Sequence, residues 1–339
     1  MFCPYCGCDH GPATQMSSEH VIPYAMGGSD GLTIVVCESS NNQLGGRVDR
    51  PIIEFFPVRS ERFFLGLKGT DGTVPTLDLS GVTFLDGREM RLRNVLGFDG
   101  KDMRLTSREI ERIPTDQGER WNFRGSPDAI RKALAGKIRD QALKGKWVKN
   151  HKGEIITLEN LEQMLLEAME EVPNPCVLRK IEFEYLWTWR FFAKLSLSVG
   201  HYLFGEDFSR SERADQLRRT MQAQTMEAAG LTGAAIFPET HSLPPQFAQF
   251  KTKSAHTIVV CHGRPRLLIV SLFGWLDACI ALDLVRHGSG MRPGEMQILE
   301  ITLPDRRFAQ YSLLNYMRLR ASREPASRQG DGRDSASNS

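Results

Sequence analysis

The N-terminal segment holds the residues whose types and spacing could perform chemistry. Cys3 and Cys6 form a Cys-x2-Cys pair, and Cys37 follows further along the chain. The dipeptide Glu19-His20 lies between this pair and Cys37. An imidazole titrates near neutral pH and can accept a proton from water, and cysteine thiolates at this spacing bind zinc. The pattern therefore indicates a metal-binding knuckle beside a candidate general base, His20.

The pattern continues through Asn41 and Gly45 and closes at Asp49. An acid beside a histidine, followed by an asparagine just past a cysteine knuckle, resembles the HNH endonuclease family, in its branch with Glu-His in place of Asp-His. The resemblance covers about the first 50 residues. It implies a ββα-metal fold in which Glu19 and Asn41 bind a hard divalent cation, Mg²⁺ or Mn²⁺, while His20 activates water.

Two further positions in this segment have alternative interpretations. Asn42 could replace Asn41 as the ligand if the helix register shifts, and either asparagine could instead cap a helix. Asp49 fits the acid that closes the family pattern and could orient the site. It could equally be a surface acid that pairs with Arg47 or Arg50. Asn41 is the preferred ligand.

The knuckle departs from the family pattern at the position of its fourth cysteine. Ser40 occupies that position, and a neutral hydroxyl is a poor zinc ligand. Cys8 is our preferred replacement, so Cys3, Cys6, Cys8 and Cys37 form the predicted structural zinc site. His10 is an alternative fourth ligand, and a weak or absent zinc site is another.

Composition is that of a soluble globular protein of 339 residues, long enough for two or three domains. No apolar run is long enough to cross a membrane, and no secretory signal is recognisable, so we expect a cytoplasmic protein. The seven cysteines are odd in number, and Cys176, Cys261 and Cys279 lie in apolar surroundings far from the others. This distribution favours free thiols over a disulfide framework.

Basic residues concentrate away from the candidate active site. Residues 1–50 carry a net charge of −3, whereas residues 120–152 carry ten basic and two acidic side chains. If nucleic acid binds, this basic stretch is the best candidate to contact phosphates, through Arg131, Lys132 and Arg139. The alternative is a solvated helix face that pairs with the acidic helix predicted at 158–172.

Periodicity predicts an α+β protein. We expect strands at 14–19 and 32–37 with a helix near Asn41, a small antiparallel meander with Asp-Gly turns, and a helix that begins after Ser126. Strands are expected on both sides of residues 263–265. The predicted domains are an HNH-like module at 1–68, a β-rich segment at 69–125, a mixed α/β domain at 126–317 and a disordered tail at 318–339.

The resulting hypothesis is a metal-dependent endonuclease that acts on nucleic acid, with DNA favoured over RNA. The alternative is a zinc-knuckle protein that binds nucleic acid, or acts as a scaffold, without catalysis. Geometry distinguishes the two, because catalysis requires Glu19, His20 and Asn41 to converge on one accessible point.

Overall fold

A computed structural model describes most of the chain, which forms two compact units. The first unit comprises Met1–Phe55 and Glu184–Ser339, and the second comprises Phe56–Phe183. These units do not coincide with the predicted boundaries at residues 68, 125 and 317. The described residues are 1–78, 82–84, 95–98, 103–105, 108–115, 118–125, 127–150, 152–168, 177–179, 184–230, 236–237, 245–263, 266–282 and 295–323.

The first unit begins with two antiparallel strand pairs and a run of short helices. A 3₁₀ turn at Tyr24–Met26 lies in the loop between the second pair of strands, and a π-helical turn at Gly45–Asp49 joins the first two helices. The elements are β1 (Phe2–Cys3), β2 (Cys8–Asp9), β3 (Met16–His20), β4 (Thr33–Cys37), α1 (Glu38–Leu44) and α2 (Arg50–Glu54). The predicted strands are confirmed, and α1 begins before Asn41 because β4 runs directly into it.

In its described ranges, the second unit combines three helices with short antiparallel strands. Its helix α4 begins at Pro127, as the sequence predicts, and buries Ile130, Leu134 and Ile138. The elements are α3 (Phe56–Phe64), β5 (Leu77–Asp78), β6 (Val82–Phe84), β7 (Val95–Phe98), β8 (Met103–Leu105), β9 (Arg108–Thr115), β10 (Gly118–Gly125), α4 (Pro127–Ala142), β11 (Val148–Lys149), β12 (Ile155–Ile156), α5 (Leu161–Ala168) and β13 (Val177–Arg179).

The strands of the second unit form only part of the predicted meander. Strands β5, β7 and β8 pair in that order, and β9 pairs with β10. Strand β6 pairs instead with β13, which is distant in sequence. A non-local pairing of this kind carries no local turn signal, so the sequence pattern missed it. The turns predicted at Asp86-Gly87 and Asp99-Gly100 lie outside the described residues.

The chain then returns to the first unit with helices and an antiparallel sheet, of which the described residues form six strands. The sheet order is β14-β17-β16-β15-β18-β19, and the predicted pairing of β15 with β16 is confirmed. The elements are α6 (Tyr185–Ser209), α7 (Glu212–Gln222), α8 (Met226–Gly230), β14 (Ile236–Phe237), β15 (Ala255–Cys261), β16 (Leu267–Leu272), β17 (Leu276–Ala281), β18 (Met296–Thr302), β19 (Arg307–Ser312) and α9 (Leu313–Arg323).

Helix α9 extends past the predicted start of the disordered tail at Arg318. Tyr316 is fully buried on this helix, and Arg320 donates a hydrogen bond to its hydroxyl. The packing of Tyr316 and of Leu313 against the core of the sheet keeps a polar sequence helical as far as Arg323. The rest of the predicted tail lies outside the described residues.

Helix α6 is the central element of the first unit. Its middle stretch, residues 190–200, is buried on all sides and holds Phe191, Phe192 and Leu195, as expected for a helix surrounded by protein. None of the helices in the described ranges is long and apolar enough to cross a bilayer.

The loop that follows β3 depends on a close backbone approach at Gly28. A Cβ atom at this position would lie 1.8 Å from the carbonyl oxygen of Ile22. We predict that Gly28→Ala lowers the free energy of unfolding by about 1–3 kcal/mol, because backbone atoms must move to admit the methyl group. Urea denaturation measures the change.

Gly46→Ala is the matched control for this substitution. A Cβ at Gly46 meets nothing within 4 Å, and alanine favours helical backbone. The control should be as stable as the unmodified protein or more so. Equal stability of the two variants would contradict the proposed role of Gly28.

Candidate active site and cysteine cluster

Strands β3 and β4 place the two candidate catalytic residues Glu19 and His20 on opposite faces. Glu19 pairs with Ile34 and His20 pairs with Thr33 in the antiparallel register. Side chains alternate along a strand, so Glu19 lies on the face that carries the buried Ile34 and Val36, and His20 lies on the other. The face of Glu19 is the inner face, and the face of His20 is the outer face.

On the inner face, Glu19 and Asp49 share one partner, the ammonium group of Lys194. The Nζ atom of Lys194 lies 2.5 Å from Glu19 Oε1 and 2.5 Å from Asp49 Oδ2. The Lys194 side chain is only 2% exposed. Asp49 is therefore a buried acid that pairs with α6. The predicted alternative, a surface acid paired with Arg47 or Arg50, does not describe its environment.

The surroundings of Lys194 keep it charged. Burial alone would lower its pKa, but Tyr5, Asp49 and Glu19 together raise it above the ordinary value of a lysine. Burial raises the pKa of Asp49, and Lys194 opposes that shift. The cluster formed by Lys194, Glu19 and Asp49 is called the buried ion cluster below.

Asn41 also faces β3. Its side-chain amide donates a hydrogen bond to Ser17 Oγ at 3.0 Å, and Ser17 shares the inner face with Glu19. Asn42 is exposed. Of the two asparagines, Asn41 is therefore the one directed toward the strand that carries Glu19.

On the outer face, His20 forms a pair with Asp30. His20 Nε2 lies 2.8 Å from Asp30 Oδ1, and the two side chains are 24% and 91% exposed. The ring of Tyr24 lies 5.3 Å from the imidazole, centroid to centroid. The guanidinium of Arg306 stacks on the ring of Tyr24, 3.5 Å from its centroid. The ring of Tyr24 thus lies between the His20 imidazole and the Arg306 cation.

The three predicted catalytic residues do not share a common partner in this arrangement, so it does not show the expected convergence of Glu19, His20 and Asn41 on one point. Glu19 contacts Lys194 and Asn41 contacts Ser17 on the inner face, whereas His20 contacts Asp30 on the outer face. Carboxylate oxygens at Glu19 and Asp49 suit a hard cation, but the Lys194 ammonium lies between them. With Lys194 in this position, the residues do not fit a divalent metal ion.

A second cluster consists of three thiols and an imidazole. The ligand atoms of Cys3, Cys6, His10 and Cys37 all lie within 4.8 Å of one another. Cys6 Sγ is 3.2 Å from His10 Nε2 and 3.9 Å from Cys37 Sγ. Three thiolates and one imidazole are a common ligand set for structural zinc. This group could hold a metal ion.

His10, and not the preferred Cys8, stands beside the three thiols. Cys8 is exposed, and its thiol lies 3.5 Å from the Cys6 carbonyl oxygen. The amide of His10 donates to the Met1 carbonyl at the end of the β1–β2 hairpin. From there the longer imidazole side chain reaches back to Cys6.

Ser40 supports the cluster without joining it. The Cys37 thiol hydrogen-bonds to Ser40 Oγ at 3.1 Å. Burial opposes ionisation of Cys37, but hydrogen bonds with Ser39 and Ser40 lower its pKa to about 6. The thiolate is the form that binds metal, so the serine at the missing cysteine position favours ligation by its neighbour.

Residues 3–57 match the HNH endonuclease family. This match spans the cysteine cluster, both faces of β3, and the turn that ends at Asp49. We call residues 3–57 the HNH segment. No curated protein and no solved structure matches the chain.

The basic residues predicted to contact nucleic acid differ in their environments. Arg131 pairs with Asp128 on its own helix and with Glu162 on α5, where its Nε atom lies 2.5 Å from Glu162 Oε1. The predicted alternative, pairing between the basic and acidic helices, therefore describes Arg131. Lys132 and Arg139 are exposed on α4.

Lys194 and Asp30 are the partners that the sequence interpretation missed. Arg190 and Lys194 were a usable signal, because two cations one helical turn apart interrupt an otherwise apolar helix. Charged residues in such helices are rarely buried without a partner. Asp30 lies in a glycine-rich loop and carries no comparable signal.

The geometry of the cysteine cluster predicts which side chain completes a zinc site. We expect one zinc ion per chain, with His10→Ala losing it and Cys8→Ser retaining it, because in the described part of the chain His10, and not Cys8, reaches the three thiols. Metal analysis of chelator-washed protein measures the content. Zinc loss from Cys8→Ser with zinc retained by His10→Ala would contradict this assignment.

Proposed function

We propose that the HNH segment hydrolyses phosphodiester bonds in nucleic acid, with DNA as the first substrate to test. The match of residues 3–57 to HNH endonucleases carries the proposal. The outer face of β3 supports it, since a partly exposed imidazole there has a carboxylate partner. The surface around this imidazole is where the substrate would bind.

His20 is the proposed general base. When Nε2–H donates to Asp30, the unprotonated nitrogen of the neutral ring is Nδ1. Nδ1 has no hydrogen-bond partner among the described residues, so it can accept the proton of an attacking water. Asp30 would orient the ring and stabilise the imidazolium that forms. Its high exposure limits this contribution, because water screens the pair.

The cysteine cluster and the buried ion cluster differ in how well they fit a metal ion. Cys3, Cys6, His10 and Cys37 would hold Zn²⁺ in a structural role. The family resemblance assigns Mg²⁺ or Mn²⁺ to Glu19 and Asn41, where a hard cation would neutralise charge on the phosphate. Glu19 is held by Lys194, so the residues there do not fit that ion in this arrangement.

Replacement of His20 tests the proposed activity. We predict that His20→Ala lowers the rate of cleavage by about 10²–10⁴-fold, because the base is removed. Cleavage of plasmid DNA, single-stranded DNA and RNA is measured with Mg²⁺ and Mn²⁺ present and again with chelator. Unfolding curves should show an unchanged fold.

His201→Ala is the matched control for this variant. His201 is a partly buried histidine of the same unit that hydrogen-bonds Ser209, and its replacement should leave the cleavage rate close to that of the unmodified protein. Equal cleavage by the unmodified protein and His20→Ala would reject the proposal. Binding without cleavage of any substrate would favour the alternative of a catalytically inactive binding protein.

Lys132 and Arg139 are the proposed phosphate-binding residues of the second unit. Removal of each cation that binds a phosphate should flatten the dependence of log affinity on log salt by about 0.9 for duplex DNA. We therefore predict a shallower slope for Lys132→Gln with Arg139→Gln. Arg131→Gln should leave the slope unchanged, because Asp128 and Glu162 already neutralise Arg131. A shallower slope for Arg131→Gln, with an unchanged slope for the Lys132 and Arg139 variant, would contradict the proposed phosphate contacts.

A further inference from the structure

The buried ion cluster places a side-chain cation on Glu19, one of the two residues to which the family resemblance assigns a metal. Lys194 Nζ lies 2.5 Å from an oxygen of Glu19 and 2.5 Å from an oxygen of Asp49. Divalent cations bind carboxylate oxygens at about 2.0–2.6 Å. An ammonium nitrogen at this distance from both oxygens occupies the position that a bridging metal ion would take.

We propose that Lys194 is a tethered cation that occupies the site between Glu19 and Asp49 and keeps divalent metal ions out of it. This inference rests on the proposed function, because the HNH resemblance is what assigns metal to this part of the segment. It concerns a residue outside the HNH segment, contributed by α6.

Steric and electrostatic constraints make the two cations mutually exclusive. An ammonium and a divalent metal cannot both lie within bonding distance of the same two oxygens, since like charges repel strongly in a buried site. Metal binding therefore requires the ammonium to leave. The flexible side chain of Lys194 would then have to place its charged end elsewhere within the first unit.

The packing around Lys194 opposes that movement. On its own helix, Phe191, Phe192 and Leu195 are fully buried. The ammonium also lies 5.5 Å from the ring centroid of Tyr5. The Tyr5 hydroxyl is held in turn by a hydrogen bond with Ser198 Oγ at 3.0 Å. An ammonium displaced into these apolar surroundings would lose both carboxylate partners without gaining water.

The cluster retains unused capacity to bind a cation. It contains two carboxylates and one ammonium, and Asp49 Oδ1 has no hydrogen-bond partner among the described residues. Removal of the ammonium would leave two neighbouring carboxylates with a strong need for a counter-ion. A divalent ion can meet that need, whereas a neutral side chain cannot.

Lys194→Met tests this directly, because methionine has a similar length and no charge. Binding of Mn²⁺ to zinc-loaded protein is measured by calorimetry and by electron paramagnetic resonance. We expect Lys194→Met to bind Mn²⁺ about tenfold more tightly or better than the unmodified protein, at a site lost in Lys194→Met with Glu19→Gln. Mn²⁺ should also raise the melting temperature of Lys194→Met and not that of the double variant.

Glu19→Gln in the otherwise unmodified protein provides a second measurement that does not depend on the folding of Lys194→Met. We expect it to leave Mn²⁺ affinity unchanged, because no metal binds at Glu19 while Lys194 is present. A loss of Mn²⁺ affinity in Glu19→Gln would overturn the proposal, as would equal Mn²⁺ affinity of Lys194→Met and the unmodified protein.

These binding measurements require no nuclease activity, so they are separable from the test of the proposed function. If His20→Ala cleaves normally while Lys194→Met gains a Mn²⁺ site, the proposed function fails and this inference stands. If His20→Ala is inactive while the single change Glu19→Gln weakens Mn²⁺ binding, the proposed function stands and this inference fails.

Discussion

The ion pairs of Lys194 with Glu19 and Asp49 are the interaction on which the first unit depends. They join β3, the π-helical turn and α6, which are far apart in the sequence. A buried charge without a partner is strongly unfavourable, and removal of one partner from a buried pair costs about 3–5 kcal/mol. Each of the three elements therefore requires the other two in place, and the N-terminal residues belong to one unit with the C-terminal ones.

Other contacts also join the HNH segment to C-terminal residues of the first unit. Arg218 of α7 donates to the carbonyl of Pro4 beside the cysteine cluster. His256 of β15 hydrogen-bonds to the Met26 carbonyl in the loop after β3, at 2.7 Å. Gly31, at the end of that loop, lies against Phe308 of β19. The helices and the sheet thus support the segment on the side of its cysteines and on the side of His20.

Local structure was largely predictable from the sequence, because it depends on short-range patterns. The β3–β4–α1 order, the start of α4 at Pro127 and the β15–β16 pair all follow from periodicity, capping and turn residues. The fold class was right at the level of a mixed α and β chain with a C-terminal antiparallel sheet. Pairings between distant segments, such as β6 with β13, have no local signal and were missed.

The residue types of the candidate site were predictable from the sequence. The side chains that contact those residues were not. The sequence identified Glu19, His20 and Asn41, but which face each residue occupies depends on the strand register and on α6. The preference for Cys8 over His10 relied on spacing alone, whereas the hairpin geometry brings the imidazole to the thiols. Lys194 lies more than a hundred residues from the motif, so only tertiary structure relates it to Glu19 and Asp49.

An ammonium group, and not a metal ion, neutralises the Glu19–Asp49 acid pair of the HNH segment in this structure. Anomalous diffraction from crystals of the unmodified protein grown with Mn²⁺ tests it most directly. We expect no manganese peak between Glu19 and Asp49, and Lys194 Nζ in contact with both carboxylates. A manganese peak bonded to Glu19 and Asp49, with Lys194 turned away, would contradict it.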